Sequence, residues 1–408
     1  MDQARSTTPL QRLPRYRLGY VLHKVIHTPD SPPATRSWGP ATYPIMPECG
    51  VNDGPMATGT LPFFAIFMPS LHAILPQIWL QRGPLARLLL PVSWLYGVLW
   101  RLRGLAYRLG WLRSAHPGIP VVVVGNVVAG GAGKTPTTIA LVQHLRRLGL
   151  QVGVVSRGHG RSSRNTCEVL VHSAAAEVGD EPLLIRQRTG APVWVGASRL
   201  EAAHALRQAH PEVQLLVCDD GLQHLALQRD LEICVMDERG TGNGWLLPAG
   251  PLREPWPRAV DLLLYTDGQH RPGAHSARRA LAEQAVNGAG QTRPLRDFLG
   301  SPVDAVAGLA RPEAFFSMLR AQGLNLAETR ALPDHHGFLD WKPSGSGHPL
   351  LCTEKDAVKL WQHALQAWAV PLELEVDRDF WLAIEAWLHL RGLLQAAPVS
   401  SPHGQQTP

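Results

Sequence analysis

At 408 residues, with 45% hydrophobic and 18% charged residues, the chain holds enough apolar material for more than one buried core, and wholesale disorder is excluded. Its formal charge of +6 suits nucleic acid, an anionic membrane surface or a phosphorylated ligand, and does not choose among them. Five cysteines, Cys49, Cys167, Cys218, Cys234 and Cys352, share no C-x-x-C spacing. Neither a zinc site nor a disulfide framework is indicated, and a reducing cytoplasm is the simplest compartment.

Residues 1–67 are rich in Pro, Ser, Thr and Gly without a sustained period, and read as a disordered extension. No cleavable signal peptide is expected, because the first apolar run starts only at Leu61. From Met68 the pattern gives helical pieces broken by prolines, leading into LLLPVSWLYGVLW at 88–100. Arg82, Arg87, Arg101, Arg103, Arg108 and Arg113 flank that run, which is short of the ~20 apolar residues of a spanning helix. An interfacial helix fits, with Trp94, Tyr96 and Trp100 at headgroup level; a buried helix with a basic rim is the alternative.

The α/β pattern begins at Val121. VVVVGNVVAGGAGKTP, residues 121–136, joins a β-branched run to a glycine cluster ending in Lys-Thr, and a helical period follows to Leu150. Glycines let backbone N–H groups curl around phosphate oxygens, and the helix N-terminus points its dipole at the same anion. In this reading Val128, Ala129, Gly130, Gly131, Ala132, Gly133, Lys134 and Thr135 form the nucleotide loop. Lys134 reaches the β/γ-phosphates and Thr135 holds Mg²⁺. Val128 stands where the strict G-x-x-x-x-G-K-[ST] pattern has its first glycine. Strand VGVVS then runs into SRGHGR, where Arg157 and Arg161 can bind phosphate or simply sit exposed in a turn. Asp180 and Glu181, in EVGDEPLL, open a helix, where acids serve as caps or, in a kinase, as a base.

Strand VQLLVC ends in Asp219 and Asp220, the acids expected to hold Mg²⁺ directly or through water. Gln223 and His224 follow, facing the nucleotide or capping a helix. The Gly/Pro-rich stretch 240–258 is long for a connection and is a lid or substrate-loop candidate. After strand DLLLYTD, the polar stretch 268–296 reads as a linker. A second α/β unit follows: VDAVAGL, helix PEAFFSMLRAQGL, PLLCTEKD, a strand AWAVPLELEVD and a closing amphipathic helix. Asp334, His335 and His336 place histidine beside acid but also suit a solvated turn. Thr353 reads as an N-cap with Asp356 at the third helical position.

Taken together the expected fold is α/β, P-loop NTPase-like: a mainly parallel sheet with helices on both faces, a smaller second α/β domain and an N-terminal membrane-associated helix. The expected division is 1–67 extension, 68–115 membrane-associated helices, 116–290 nucleotide-binding kinase domain, 291–395 second α/β subdomain and 396–408 tail. A nucleotide-driven switch without an acceptor alcohol shares the nucleotide loop and Asp219/Asp220, and a lipid-binding module with a vestigial nucleotide site is a further reading. A nucleic-acid partner is not expected, since no stacking platform or recognition helix is evident.

In PVSWLYGVLWRLR, VVVVGNVVAGGAGKTP, GVVSRGHGR, VGDEP, DDGLQH, LLPAGPLREP, AVAGLARPEAFF, PDHHGF and LCTEKDAVKL the chain resembles the tetraacyldisaccharide 4′-kinases of lipid A biosynthesis, from about residue 68 to 394. In that family the loop's first position is also not glycine. The resemblance implies transfer of the ATP γ-phosphate, with Mg²⁺, to the 4′-hydroxyl of tetraacyldisaccharide 1-phosphate, giving lipid IVA. It further implies a peripheral or monotopic enzyme at the cytoplasmic face of the bacterial inner membrane. By the same resemblance Asp180 is the catalytic acid and His335 its partner, Lys134 stabilises the transferred group, and Asp219 and Asp220 belong to the metal element. Glu181 assists the metal, and Arg157 and Arg199 face phosphate or substrate. His159 stands where the family commonly has an aromatic. Family members usually begin near the position of Met68, so residues 1–67 are expected to be sequence upstream of the true start.

Overall fold

A computed structural model describes residues 78–394, apart from 310, 335, 339, 343 and 344. The expectations for residues 1–67, for residues 68–77 of the helical pieces that follow, for the tail and for His335 lie outside the described residues.

Helices α1 (Pro84–Leu88) and α2 (Leu90–Arg108) precede the first strand. The chain then runs β1 (Val121–Gly125), α3 (Lys134–Arg147), β2 (Val152–Ser156), β3 (Cys167–Glu168), α4 (Ala175–Val178), α5 (Asp180–Thr189), β4 (Val193–Val195), α6 (Arg199–Ala209) and β5 (Leu215–Asp219). Next come β6 (Leu231–Met236), β7 (Leu262–Tyr265), β8 (His275–Leu281), β9 (Gln284–Asn287), β10 (Thr292–Pro294) and β11 (Pro302–Ala307). Last are α7 (Pro312–Ala321), β12 (Asn325–Ala331), β13 (Leu350–Thr353), α8 (Glu354–Leu360), β14 (Trp368–Val370), β15 (Leu372–Val376) and α9 (Arg378–Leu390).

Two sheets result. The first has nine strands in the order β15-β8-β7-β6-β1-β5-β2-β4-β3, and the second has six, β10-β9-β14-β13-β11-β12. Pairing is parallel around β1, which lies between β5 and β6. All five residues of β1 are buried, as a β-branched strand covered on both faces requires. Its side chains alternate: Val122 and Val124 join a core with α3 and α9, while Val121 and Val123 join a core with α6. Helices therefore cover both faces, and β1 and β5 end side by side with Val124 opposite Asp219.

Three expectations change. The stretch 268–296 is not a linker but carries β8, β9 and β10. Its arginines obscure this, because they have partners other than water: Arg278 pairs with Glu375 on β15 at 2.7 Å and Arg279 donates to Thr266. The single strand expected over AWAVPLELEVD is broken at Pro371, with β14 in the second sheet and β15 in the first. Proline has no N–H to give a ladder, which suits the crossing point. The closing helix α9 consequently packs Phe380, Ile384 and Trp387 into the core of the first sheet.

The stretch 240–258 is held from both sides. Against α2 it accepts from the Ser93 hydroxyl at Leu246 O and from the Tyr96 hydroxyl at Arg253 O. Gly97 lets the helix approach closely, since a Cβ there would come within 2.9 Å of Leu246. On its other side Leu252 bridges Val128, and Pro251 O accepts from Ala129 N. Tyr96 is thus half-buried, with its hydroxyl hydrogen-bonded inward. The outward side of α2 leaves Trp94 68% and Leu95 60% exposed.

Candidate active site

The glycine-rich loop leaves β1 and enters α3 through Gly133, whose φ of 90° is one that glycine adopts without strain. Lys134 follows as the first helical residue. Its side chain is 10% exposed and its Nζ lies 3.8 Å from Asp220 Oδ1. Val128 and Ala132 are buried under the loop, Gly130 and Gly131 are exposed, and Thr135 is half-buried at the helix start.

Asp219 ends β5 and is almost wholly buried. Thr138 on α3 and Ser156 at the end of β2 each donate a hydroxyl to it at 3.1 Å. Burial, reinforced by the charges of Glu181 and Asp220, pushes its carboxyl up to about 7, against the pull of Lys134. Asp220 adopts φ 48°, an uncommon value for a non-glycine residue, and turns its carboxylate toward Arg253, whose Nη1 lies 3.0 and 3.1 Å from the two oxygens. Burial works to raise Asp220, but Lys134, Arg253 and Arg199 outweigh it and hold it below its ordinary range. Neighbouring acids with such opposed surroundings are common where a site handles charge.

Arg199 opens α6 behind the Ser198 cap, is buried, and donates Nη2 to Asp220 O at 3.1 Å. Its Nε has no hydrogen-bond partner among the described residues. His224 opens no helix and is half-buried. Burial and the charges of Arg199, Arg229, Arg103 and Arg157 lower its imidazole to about 4. Gln223 does not cap a helix either; its amide donates to Asn126 O and Glu254 Oε1, both at 2.9 Å, tying the post-β5 turn to the loops beside it.

Asp180 opens α5 behind Gly179 and is buried; Glu181 beside it is half-buried and close enough to act on Asp219. Lys359 of α8 donates to Asp180 Oδ2 at 2.7 Å. Arg157 remains exposed, and Arg161 is used inside its own turn, donating to Asn165 O and Arg164 O. His336 Nδ1 accepts from Phe338 N, and Asp334 pairs with Lys355 at 2.8 Å. Thr353 caps α8, its hydroxyl accepting from Asp356 N as the sequence pattern requires.

The fold therefore gathers Lys134, Asp219, Asp220, Glu181 and Arg199 at the C-terminal ends of β1 and β5. Arg253, which pairs with Asp220, and Lys359, which pairs with Asp180, carry no signal of their own in the sequence, although both lie in segments quoted for the family resemblance. The arrangement sets cations beside the Asp219 and Asp220 carboxylates, with no group of three metal-ligating side chains among the described residues.

A family model described as Tetraacyldisaccharide-1-P 4'-kinase (LpxK) matches residues 85–389. The "Tetraacyldisaccharide 4'-kinase" of Acidovorax sp. (strain JS42) is 55% identical over 313 residues, covering 76% of this chain and 93% of the relative. That of Polaromonas naphthalenivorans (strain CJ2) is 52% identical over 346 residues, covering 83% of this chain and 100% of the relative. Among solved structures, the crystal structure of the "apo" form of LpxK from Aquifex aeolicus in complex with ATP is similar at TM-score 0.65 and 28% identity. It covers 74% of this chain and 98% of that one.

Proposed function

The chain belongs to the tetraacyldisaccharide-1-P 4'-kinase family, and we propose that Lys134, Thr135, Asp219 and Asp220 hold the nucleotide and its metal while Asp180, with His335, activates the acceptor. It is an ATP-dependent kinase that transfers the γ-phosphate of ATP to the 4′-hydroxyl of tetraacyldisaccharide 1-phosphate, forming lipid IVA. The observation that carries the assignment of roles is the convergence of the Lys134 ammonium with Asp219 and Asp220 at the mouth of the glycine loop.

The fit to Mg²⁺ rests on Asp219 rather than on a ready cluster, since no three metal-ligating side chains converge among the described residues. Burial and the charges of Glu181 and Asp220 raise its carboxyl to about 7, a cost that a divalent cation would relieve. Thr135 adds a hydroxyl on the phosphate side. Mg²⁺ bound there supplies positive charge to the phosphate oxygens as the γ-phosphoryl group transfers. Loop amides beyond Ala129, whose own N–H is taken by Pro251 O, cradle the phosphates, and Lys134 draws charge off the transferring group. Asp180 and His335 take the proton of the 4′-hydroxyl during attack. Glu181 assists the metal, and Arg199 and Arg157 are offered to phosphate or substrate.

Acceptor access comes from α2. Its outward row, Leu95, Leu99 and Leu102 at helical spacing, is exposed beside Arg101 and Arg103, and no helix among the described residues is long and apolar enough to cross a membrane. The row lies on the membrane surface at the cytoplasmic face of the inner membrane, where ATP is supplied, as a peripheral or monotopic contact. Replacing all three leucines by aspartate is expected to lower co-sedimentation with anionic phospholipid vesicles at least about tenfold, since burying each leucine contributes about 1.5–3 kcal/mol. Unchanged co-sedimentation would remove α2 from the contact.

The transfer itself is tested with γ-labelled ATP and tetraacyldisaccharide 1-phosphate in detergent micelles. Label is expected on the lipid with Mg²⁺ and none after chelation by EDTA. Free labelled phosphate without labelled lipid would point instead to a nucleotide-driven switch, and transfer that survives chelation would overturn the metal assignment.

A further inference from the structure

Asp180 is met from the second half of the molecule. Lys359 projects from α8, which follows a strand of the six-stranded sheet, and its ammonium donates to Asp180 Oδ2 at 2.7 Å and to the backbone carbonyl of His336 at 3.3 Å. The pair is well sheltered, with side chains 17% and 7% exposed. One turn earlier on α8, Lys355 pairs with Asp334. The two lysines, four residues apart on one helix face, thus grip both ends of the Asp334–His336 segment, the stretch of sequence that contains His335.

The helix that carries them is itself fixed. Thr353 caps it, the Asp356 carboxylate accepts from Gly308 N at 2.9 Å, and Arg188 of α5 places Nη1 at 2.9 Å from both oxygens of Glu354. Helices α5 and α8 are therefore clasped at two points, Arg188 with Glu354 and Asp180 with Lys359. A sheltered ion pair adds little net stability over a well-packed apolar replacement, so stability alone gives a weak account of a lysine at this place. Orientation gives a stronger one, because a misplacement of about 1 Å in a reacting group can cost about 10²-fold in rate.

We propose that Lys359 is a positioning residue for phosphoryl transfer: it fixes the Asp180 carboxylate against the His336 carbonyl so that the acid meets the acceptor hydroxyl in a set orientation. The inference rests on the reading of Asp180 as part of the catalytic pair. It requires no contact between Lys359 and the nucleotide.

Steady-state kinetics of the full chain in micelles, with ATP and lipid acceptor varied separately, test it. Lys359→Met is expected to lower kcat by about 10²-fold with KM for ATP within about threefold, and Lys359→Arg to recover at least about tenfold of that loss. Lys359→Gln, which keeps a donor, is read in parallel under conditions where circular dichroism shows it folded, and must show a fall in kcat of the same kind. In the double variant Lys359→Met/Asp180→Asn the rate should stay within about twofold of Asp180→Asn alone, because the two residues act as a unit. Lys359→Met and Lys359→Gln retaining kcat while Asp180→Asn loses it, or losses that multiply in the double variant, would overturn the positioning role. A fully active Asp180→Asn would instead remove the reading of the catalytic pair on which it rests.

Discussion

Lys134→Ala will lower the rate of transfer to lipid by about 10³-fold, the size of effect expected when a preorganised cation is removed from a transferring phosphoryl group. The expectation follows from where the ammonium sits. Lys134 is the first residue of α3, sheltered from water, and its Nζ is 3.8 Å from the Asp220 carboxylate. Without it the nucleotide phosphates would face Asp219, Asp220 and Glu181 with one cation fewer, so KM for ATP should also rise. Both terms are resolved by measuring lipid labelling across ATP concentrations with Mg²⁺ held in excess. A variant within tenfold of wild type at saturating ATP would mean that Lys134 does not act on the transferred group.

Asp180→Ala is expected to reduce kcat by about 10²–10⁴-fold, the range for removing a general base. Its signature differs from that of Lys134→Ala. Asp180 is held by Lys359 on α8, so ATP binding should be nearly unchanged. Single-turnover labelling at saturating ATP, alongside nucleotide binding by equilibrium dialysis, separates the two variants. Loss of ATP binding in step with loss of rate would move Asp180 out of the proton-transfer role and into the nucleotide site.

Several features were legible because they are local. The four valines of β1 announce a strand buried on both faces, and Gly133 followed by Lys134 announces a turn into a helix. Thr353 and Asp356 have cap spacing, and the cap is there. Each depends on residues within a few positions of one another, where propensity and periodicity act directly.

Other features were not legible because they depend on partners far along the chain. The arginines of β8 look like solvated linker charges until Glu375 and Thr266 are brought beside them. The inward hydrogen bond of the Tyr96 hydroxyl depends on the Arg253 carbonyl, 157 residues away. Gln223 reads as a helix cap until Asn126 and Glu254 engage its amide.

The sequence by itself determined the α/β class, the glycine-rich loop between β1 and α3, the acids ending β5 and, through its ordered motifs, the family. Tertiary structure alone decided that β15 and α9 return to the first sheet, that Arg253 holds Asp220, and that Lys359 reaches Asp180 across 179 residues of chain. Backbone propensity is written in neighbours, whereas the partner of a long charged side chain is set by which elements pack together. That packing is decided by the summed burial of whole faces, which no single motif encodes.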